Sequence, residues 1–149
     1  LANSTYVIRL ARDADSCAIR TLVYGARLNP TGLDWRRFIV AVDTEETVIG
    51  CVQIKQHRDG SKEMASLVVA EHWQRLGVGQ ALIEHVLTEE SPPIFLMCRS
   101  SMGPYYDRFG FESIEVKDMP PFFRRISRLA RVIEPLREEG ETLLVMRRE

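Results

Sequence analysis

Short apolar runs of strand length alternate along this chain with stretches whose apolar residues recur every three or four positions. The first run covers 6–10. A helix follows to about residue 26, with Asp13 or Asp15 placed to cap its start and Ile19, Leu22, Val23 and Ala26 on one face. Residues 37–42 and 47–54 predict two strands, joined as a hairpin by the polar link Asp43-Thr44-Glu45-Glu46. The turn sequence His57-Arg58-Asp59-Gly60-Ser61 then leads into a strand over 63–69. A β-meander is the expectation for this half.

At 64–87 the rhythm changes within one stretch. The apolar run MASLVV reads as a buried strand, and a polar link, Ala70-Glu71-His72-Trp73, follows it. Next comes Gln74-Arg75-Leu76-Gly77-Val78-Gly79, and then Leu82, Ile83, Val86 and Leu87 at helical spacing. The order is strand, glycine loop, helix. It aims unpaired backbone N–H groups, backed by the positive end of the helix dipole, at whatever lies above the loop. That is an anion site, most readily for a pyrophosphate, and the glycines let a phosphate approach without a Cβ in the way. The spelling excludes two common alternatives. A Rossmann fingerprint wants G-x-G-x-x-G, and a P-loop wants a Gly-Lys pair, which the chain lacks.

Beyond Pro92-Pro93 a buried strand is expected over 94–98, a helix over about 102–109 ended by Gly110 as a left-handed cap, and a strand over 111–116. The segment 117–140 is unusual. Phe122, Phe123, Ile126, Leu129, Ala130, Ile133 and Leu136 recur at helical spacing, with Arg124, Arg125, Arg128, Arg131 and Arg137 between them. This predicts a basic amphipathic helix over 119–139. It either packs on the sheet and shows its arginines to water, or serves as a lid, a dimer face or an anionic-partner surface. TLLVM at 142–146 is the closing strand.

Composition narrows this picture. At 149 residues the chain is one domain with room for a proper core. Apolar content of 45%, charged content of 28% and a net charge of −1 are those of a soluble globular protein with no global field toward nucleic acid or membrane. Cys17, Cys51 and Cys98 form no C-x-x-C pair and read as reduced core residues of an intracellular protein. No apolar run is long enough to cross a membrane and no signal-peptide pattern opens the chain, so the expected location is cytoplasmic.

The stretch LVVAEHWQRLGVGQALI resembles the acyl-CoA-binding motif of the GNAT superfamily of N-acetyltransferases, a strand ending L-x-V before R/Q-x-x-G-x-G/A at a helix start. About 30 residues on, Tyr105-Tyr106-Asp107-Arg108-Phe109-Gly110-Phe111 resembles that family's second signature, F-Y-x-x-x-G-F. Strand and helix order fit from about residue 6 to 146. The resemblance implies an α/β (α+β) fold: a central mixed, mostly antiparallel twisted sheet of 6–7 strands flanked by about four helices. The basic helix is an extra element between the last two strands, and residues 1–149 form a single N-acetyltransferase domain.

The same resemblance implies acetyl-CoA as donor and no metal. The pyrophosphate would rest on Gln74, Arg75, Leu76, Gly77, Val78, Gly79 and Gln80, and the pantetheine arm would pair with backbone around Leu67, Val68 and Val69, which requires a splay beside that strand. Tyr106 takes the general-acid place, also touching CoA, with Tyr105 facing the core. A phenol with a pKa near 10 can protonate a thiolate whose pKa is about 8.5. Glu63, six residues before Val69, stands where histone-acetylating members carry a base; the alternative is an exposed charge at a strand start. Three further points belong to the likeness. Gln74 replaces a common Arg, Arg99 replaces a common Asn, and Trp35 is either a wall of the acceptor site or a core residue.

The expected function is therefore acetyl-CoA-dependent N-acetylation of a primary amine by direct attack in a ternary complex. The acceptor is a small molecule or a peptide amine, and a homodimer is compatible with the chain. An acyl-CoA-sensing domain without turnover is the second reading. A nucleic-acid or membrane module built on the arginine-rich helix is a third, opposed by the near-neutral charge.

Overall fold

The computed structural model describes residues 5–133 and 140–149. Seven strands and four α-helices follow one another: β1 (Tyr6–Leu10), α1 (Ser16–Gly25), β2 (Phe38–Asp43), β3 (Val48–Gln56), β4 (Lys62–Val69), α2 (Val78–Glu89), β5 (Ile94–Arg99), α3 (Gly103–Asp107), β6 (Glu112–Ser113), α4 (Pro121–Ile133) and β7 (Leu143–Arg148). The strands form a mixed sheet in the order β1-β2-β3-β4-β5-β7-β6. β4 and β5 run parallel at Glu63↔Phe95, while β1/β2, β2/β3, β5/β7 and β6/β7 are antiparallel. The chain gathers into two compact units, residues 1–55 with 64–90, and 56–63 with 91–149.

In the first unit β2 and most of β3 are buried, which is why both read as continuous apolar runs. α1 presses Ile19 and Val23 onto Phe38, Val40, Val42 and Cys51, with Leu22, Leu33 and Trp35 at the margin. Ala26, expected on the same face, caps the helix C-terminus and is exposed. Cys17 is also exposed, correcting its assignment to the core: it lies on the outer side of α1.

Asp15 does not cap α1 through its side chain. Its carboxylate turns back instead, accepting from Arg12 N–H at 2.7 Å and from both terminal nitrogens of Arg9 at 2.7 and 3.1 Å. The Arg9 guanidinium holds the Asp15 carboxyl below the usual carboxylate range; burial works against this and the Arg12 N–H works with it. A carboxyl lowered on folding stabilises the fold above its ordinary pKa, near 4, and that contribution is lost as pH falls through the lower folded value. Asp15→Asn would leave the largely buried guanidinium only the exposed Glu46 carboxylate, at 3.4 Å, so urea denaturation at pH 7 should show a loss of about 3 kcal/mol. At pH 3 the gap between wild type and variant should narrow.

In the second unit β5 and β7 pair along their whole length, from Ile94↔Arg148 to Arg99↔Leu143. β6 has only two residues where a strand over 111–116 was expected. The apolar residues there, Phe111, Ile114 and Val116, do not keep a period of two. After Ile114 N–H donates to Val145 O at 3.0 Å, the chain leaves β7 through a 3-10 turn at Val116–Asp118. Gly110 ends α3's turn at φ +85°, as its place in the sequence predicted. α4 buries Phe123 and Ala130, and Phe123 packs with Phe95, Met119 and Val145. The predicted continuation of this helix through Leu136 and Arg137 lies outside the described residues.

Candidate functional site

The residues singled out by the sequence lie in several places. The first is the loop from β4 into α2, in the first unit. Ala70 N–H donates to Ile49 O at 2.8 Å, and a 3-10 turn at Glu71–Trp73 follows. The Tyr6 ring meets Trp73 edge-on at 6.3 Å, and its hydroxyl donates to Gly77 O at 3.4 Å. Gln74 is a strut, because its side-chain amide donates to Val69 O at 3.0 Å across the base of the loop.

Arg75 at φ +63° and Gly77 at φ +87° turn the backbone left-handed twice within three residues. Nothing lies within 4 Å of a Cβ built on Gly77, so this glycine is required by its conformation and not by crowding. The first intrahelical bond runs from Ala81 N–H to Gly77 O at 3.0 Å. The N–H groups of Val78, Gly79 and Gln80 therefore precede the helix's own ladder and point outward from its positive end. Gln80 spends its side chain on Glu84, at 2.9 Å, leaving the main chain as what it offers at the tip. Leu76 and Arg75 are exposed. This is a nest for an anion, made almost wholly of backbone.

Its position is set by a residue that pattern reading passed over. A Cβ on Gly50 of β3 would stand 3.1 Å from Leu82 Cδ1, 3.2 Å from Val78 Cγ1 and 3.3 Å from Val68 O. The first turn of α2 lies that close to the sheet because Gly50 has no side chain.

The second place is β4 itself. Ser66 sits at φ +58° inside the strand, a left-handed conformation that costs a non-glycine residue free energy and clusters at functional sites. Two buried side chains of β3 hold it. Gln53 donates to Ser66 Oγ at 2.9 Å, and Cys51 Sγ lies 3.6 Å from Ser66 O. Gln53 is fully buried and its Oε1 has no partner among the described residues. Burial pushes the Cys51 thiol up to about 12, so it is a packing group and no nucleophile. Leu67, Val68 and Val69, just past the kink, are half-buried. A reversal of the backbone ahead of them is what a strand needs to swing away from its neighbour.

The remaining candidates, Glu63 in β4 and Tyr106 in α3, lie in the second unit on separate elements. Glu63 is only 4% exposed, which overturns the exposed-charge alternative. Its Oε2 stands 3.4 Å from His57 Nε2. The imidazole is stacked on Phe122 at 3.5 Å and 14°, and edge-on to Phe123 at 5.6 Å. Asp59, in the same turn, accepts from Phe122 N–H at 3.0 Å at the head of α4. Burial pushes that carboxyl up, but the Ser61 hydroxyl and the Phe122 N–H hold it below its ordinary value. His57 carried no motif and was not singled out; its signal was its place six residues before Glu63, in a turn.

Tyr105 was expected to face the core, yet Tyr105 and Tyr106 are both half-buried and meet edge-on at 5.2 Å. Tyr106 is the more desolvated of the two. Burial pushes its phenol well above the ordinary range, and the neighbouring Cys98 and Tyr105 add to the shift. Cys98 is itself pushed up to about 11, first by burial and then by Asp107 and Glu141. Tyr106 is thus protonated at neutral pH, and the desolvation makes it a weaker acid than a free phenol. Arg99 ends β5 and is exposed, like His72 of the nest loop.

Trp35 packs at the margin of the first unit's core, as one of its two readings had it. It also stacks under the Arg36 guanidinium at 4.7 Å and lines an open cavity of about 540 Å³ with Arg20, Tyr24, Leu33 and Asp34.

A seven-strand mixed sheet with four helices and a glycine loop opening the second of them is a GNAT-like fold. The acetyltransferase (GNAT) domain model matches residues 34–113, more than half of the 149 residues. The chain belongs to the GNAT acetyltransferase family. No curated protein matches it by sequence. Among solved structures, N-acetylglutamate synthase from Neisseria gonorrhoeae complexed with coenzyme A and N-acetyl-glutamate superposes with a TM-score of 0.75 at 19% identity. The match covers 99% of this chain but 36% of that one, so this chain spans little more than a third of that enzyme. Rv2747 from Mycobacterium tuberculosis, in complex with CoA, gives 0.70 at 20% identity over 93% and 97% of the two chains. Escherichia coli ElaA gives 0.68 at 16% identity over 98% and 99%. At such identities these likenesses show the fold alone. Among the described residues no helix is long and apolar enough to cross a membrane.

Proposed function

We propose that residues 1–149 act as one N-acetyltransferase domain that moves the acetyl group of acetyl-CoA to a primary amine by direct attack in a ternary complex. The observation that carries this is the backbone nest at the start of α2, with Arg75 and Gly77 left-handed and three N–H groups ahead of the helix ladder. It suits a pyrophosphate, and family membership together with solved neighbours complexed with CoA supports that anion as the one intended.

In this reading the diphosphate of CoA rests on the N–H groups between Gln74 and Gln80, and the amide-rich pantetheine arm pairs with the backbone of Leu67, Val68 and Val69. The neutral amine attacks the thioester carbonyl, a C–N bond forms and the C–S bond breaks. The departing thiolate takes its proton from Tyr106. Glu63 receives the proton shed by the amine, through His57 or water, because the buried carboxylate itself is enclosed. Tyr106 is then reprotonated from solvent.

Calorimetric titration with acetyl-CoA tests the donor site. The wild type should bind at micromolar concentration, and Gly79→Glu, which sets a carboxylate where the diphosphate would lie, should lose at least about a hundredfold in affinity. A wild type that gives no binding heat would remove the enzyme reading and the acyl-CoA-sensing reading together.

A further inference from the structure

The inserted helix does more than cover the sheet. β6 leaves β7 after Ile114 N–H bonds Val145 O, and the departing segment, β7 and α4 together enclose a fork-shaped cavity of about 460 Å³. That volume lies in the range of small-molecule sites. Ile114, Val116, Met119 and Val145 give it apolar wall, and Ser113, Glu115 and Lys117 of the departing segment are polar. α4 adds two polar groups one turn apart, Ser127 and Arg131.

Ser127 is 9% exposed and lines the cavity. Arg131 is exposed at the mouth and has no ion pair among the described residues. The other cation at the rim, Lys117, is already matched by Glu115 at 3.4 Å. Arg124 is also spoken for: its guanidinium donates to Met119 O at 3.0 Å and to Val116 O at 3.4 Å, fixing the far wall. A guanidinium with no ion pair among the described residues thus stands at the mouth of a partly apolar cavity, one turn from the Ser127 hydroxyl. A carboxylate satisfies the planar fork of Arg in two bonds, and an apolar body satisfies the walls.

We propose that this fork binds a small apolar carboxylate, with the carboxylate on Arg131 and Ser127 and the hydrocarbon against Met119 and Val145. The site lies wholly in the second unit and does not rest on the acetyl-CoA reading.

Octanoate is the probe, titrated calorimetrically into the full chain, with octylammonium as the oppositely charged counterpart. Octanoate should bind and octylammonium should not. Ser127→Leu, which fills the chamber, should abolish octanoate binding. Arg131→Gln, on an exposed side chain that leaves the core untouched, should weaken it at least tenfold, whereas Arg125→Gln on the outer face of α4 should leave it unchanged. Thermal melts establish that each variant is folded, and Arg131→Gln decides alone if Ser127→Leu is not. Absence of octanoate binding by the wild type, equal binding of octylammonium, or indifference to Arg131→Gln would each overturn the proposal.

Discussion

Tyr106→Phe should lower the rate of acetyl transfer by about 10²–10⁴, the usual contribution of a positioned acid, while leaving acetyl-CoA affinity nearly unchanged. The expectation comes from the environment of the phenol. Desolvation raises its pKa above the ordinary value near 10, so the group is protonated across the neutral range. The proton is therefore present at the pH of the assay. The wild-type rate should show no alkaline fall attributable to Tyr106 below about pH 10. Phenylalanine keeps the ring packing against Tyr105 and Phe111, so a loss of rate reports the hydroxyl. The assay follows thiol release against an amine that the wild type turns over. An unchanged kcat would sink the assignment. The same burial has a consequence for stability. Above pH 10 the unfolded chain can ionise the phenol and the folded chain resists, so stability should decline as pH rises from there toward the folded value.

The largest loss of stability is expected from Phe123→Ala. Phe123 is fully buried, stacks on Phe95 at 5.1 Å and 27°, and meets His57 and Phe122 edge-on. Removing it empties the centre of the second unit's core and should cost about 3–5 kcal/mol in chemical denaturation. The effect on α4 should exceed that on the strands, because Phe123 is the residue by which the helix enters the core. A cost below about 1 kcal/mol would mean that α4 is held by its arginines and by Asp59 instead.

Much of the fold was legible because β2, most of β3 and the first half of β5 are buried and read as continuous apolar runs bounded by turns. The nest loop was legible for a different reason: two glycines and a helix period side by side are a local signal. What stayed hidden was every feature that depends on residues distant in sequence. Gly50 looks like any strand glycine until α2 is set on it. Ser66 looks like a polar interruption of an apolar strand, and only Gln53 and Cys51 explain how a left-handed residue is held there. Glu63 could not be told from a surface charge, since its burial is the work of a turn and a helix that begins nearly sixty residues later. The strand predicted over 111–116 failed because β-branched and aromatic content was counted there without the alternation that pairing requires.

The placement of α4 also bears on how such a chain acquires new parts. β5 must find β7 across 43 intervening residues, and because closure entropy grows only with the logarithm of loop length, the helix adds roughly 0.5 kcal/mol to that cost. Length in that segment therefore costs little in itself, and what ties it to the sheet is Phe123 against Phe95 and Val145. A replacement segment is tolerated to the extent that it returns an apolar side chain to that place.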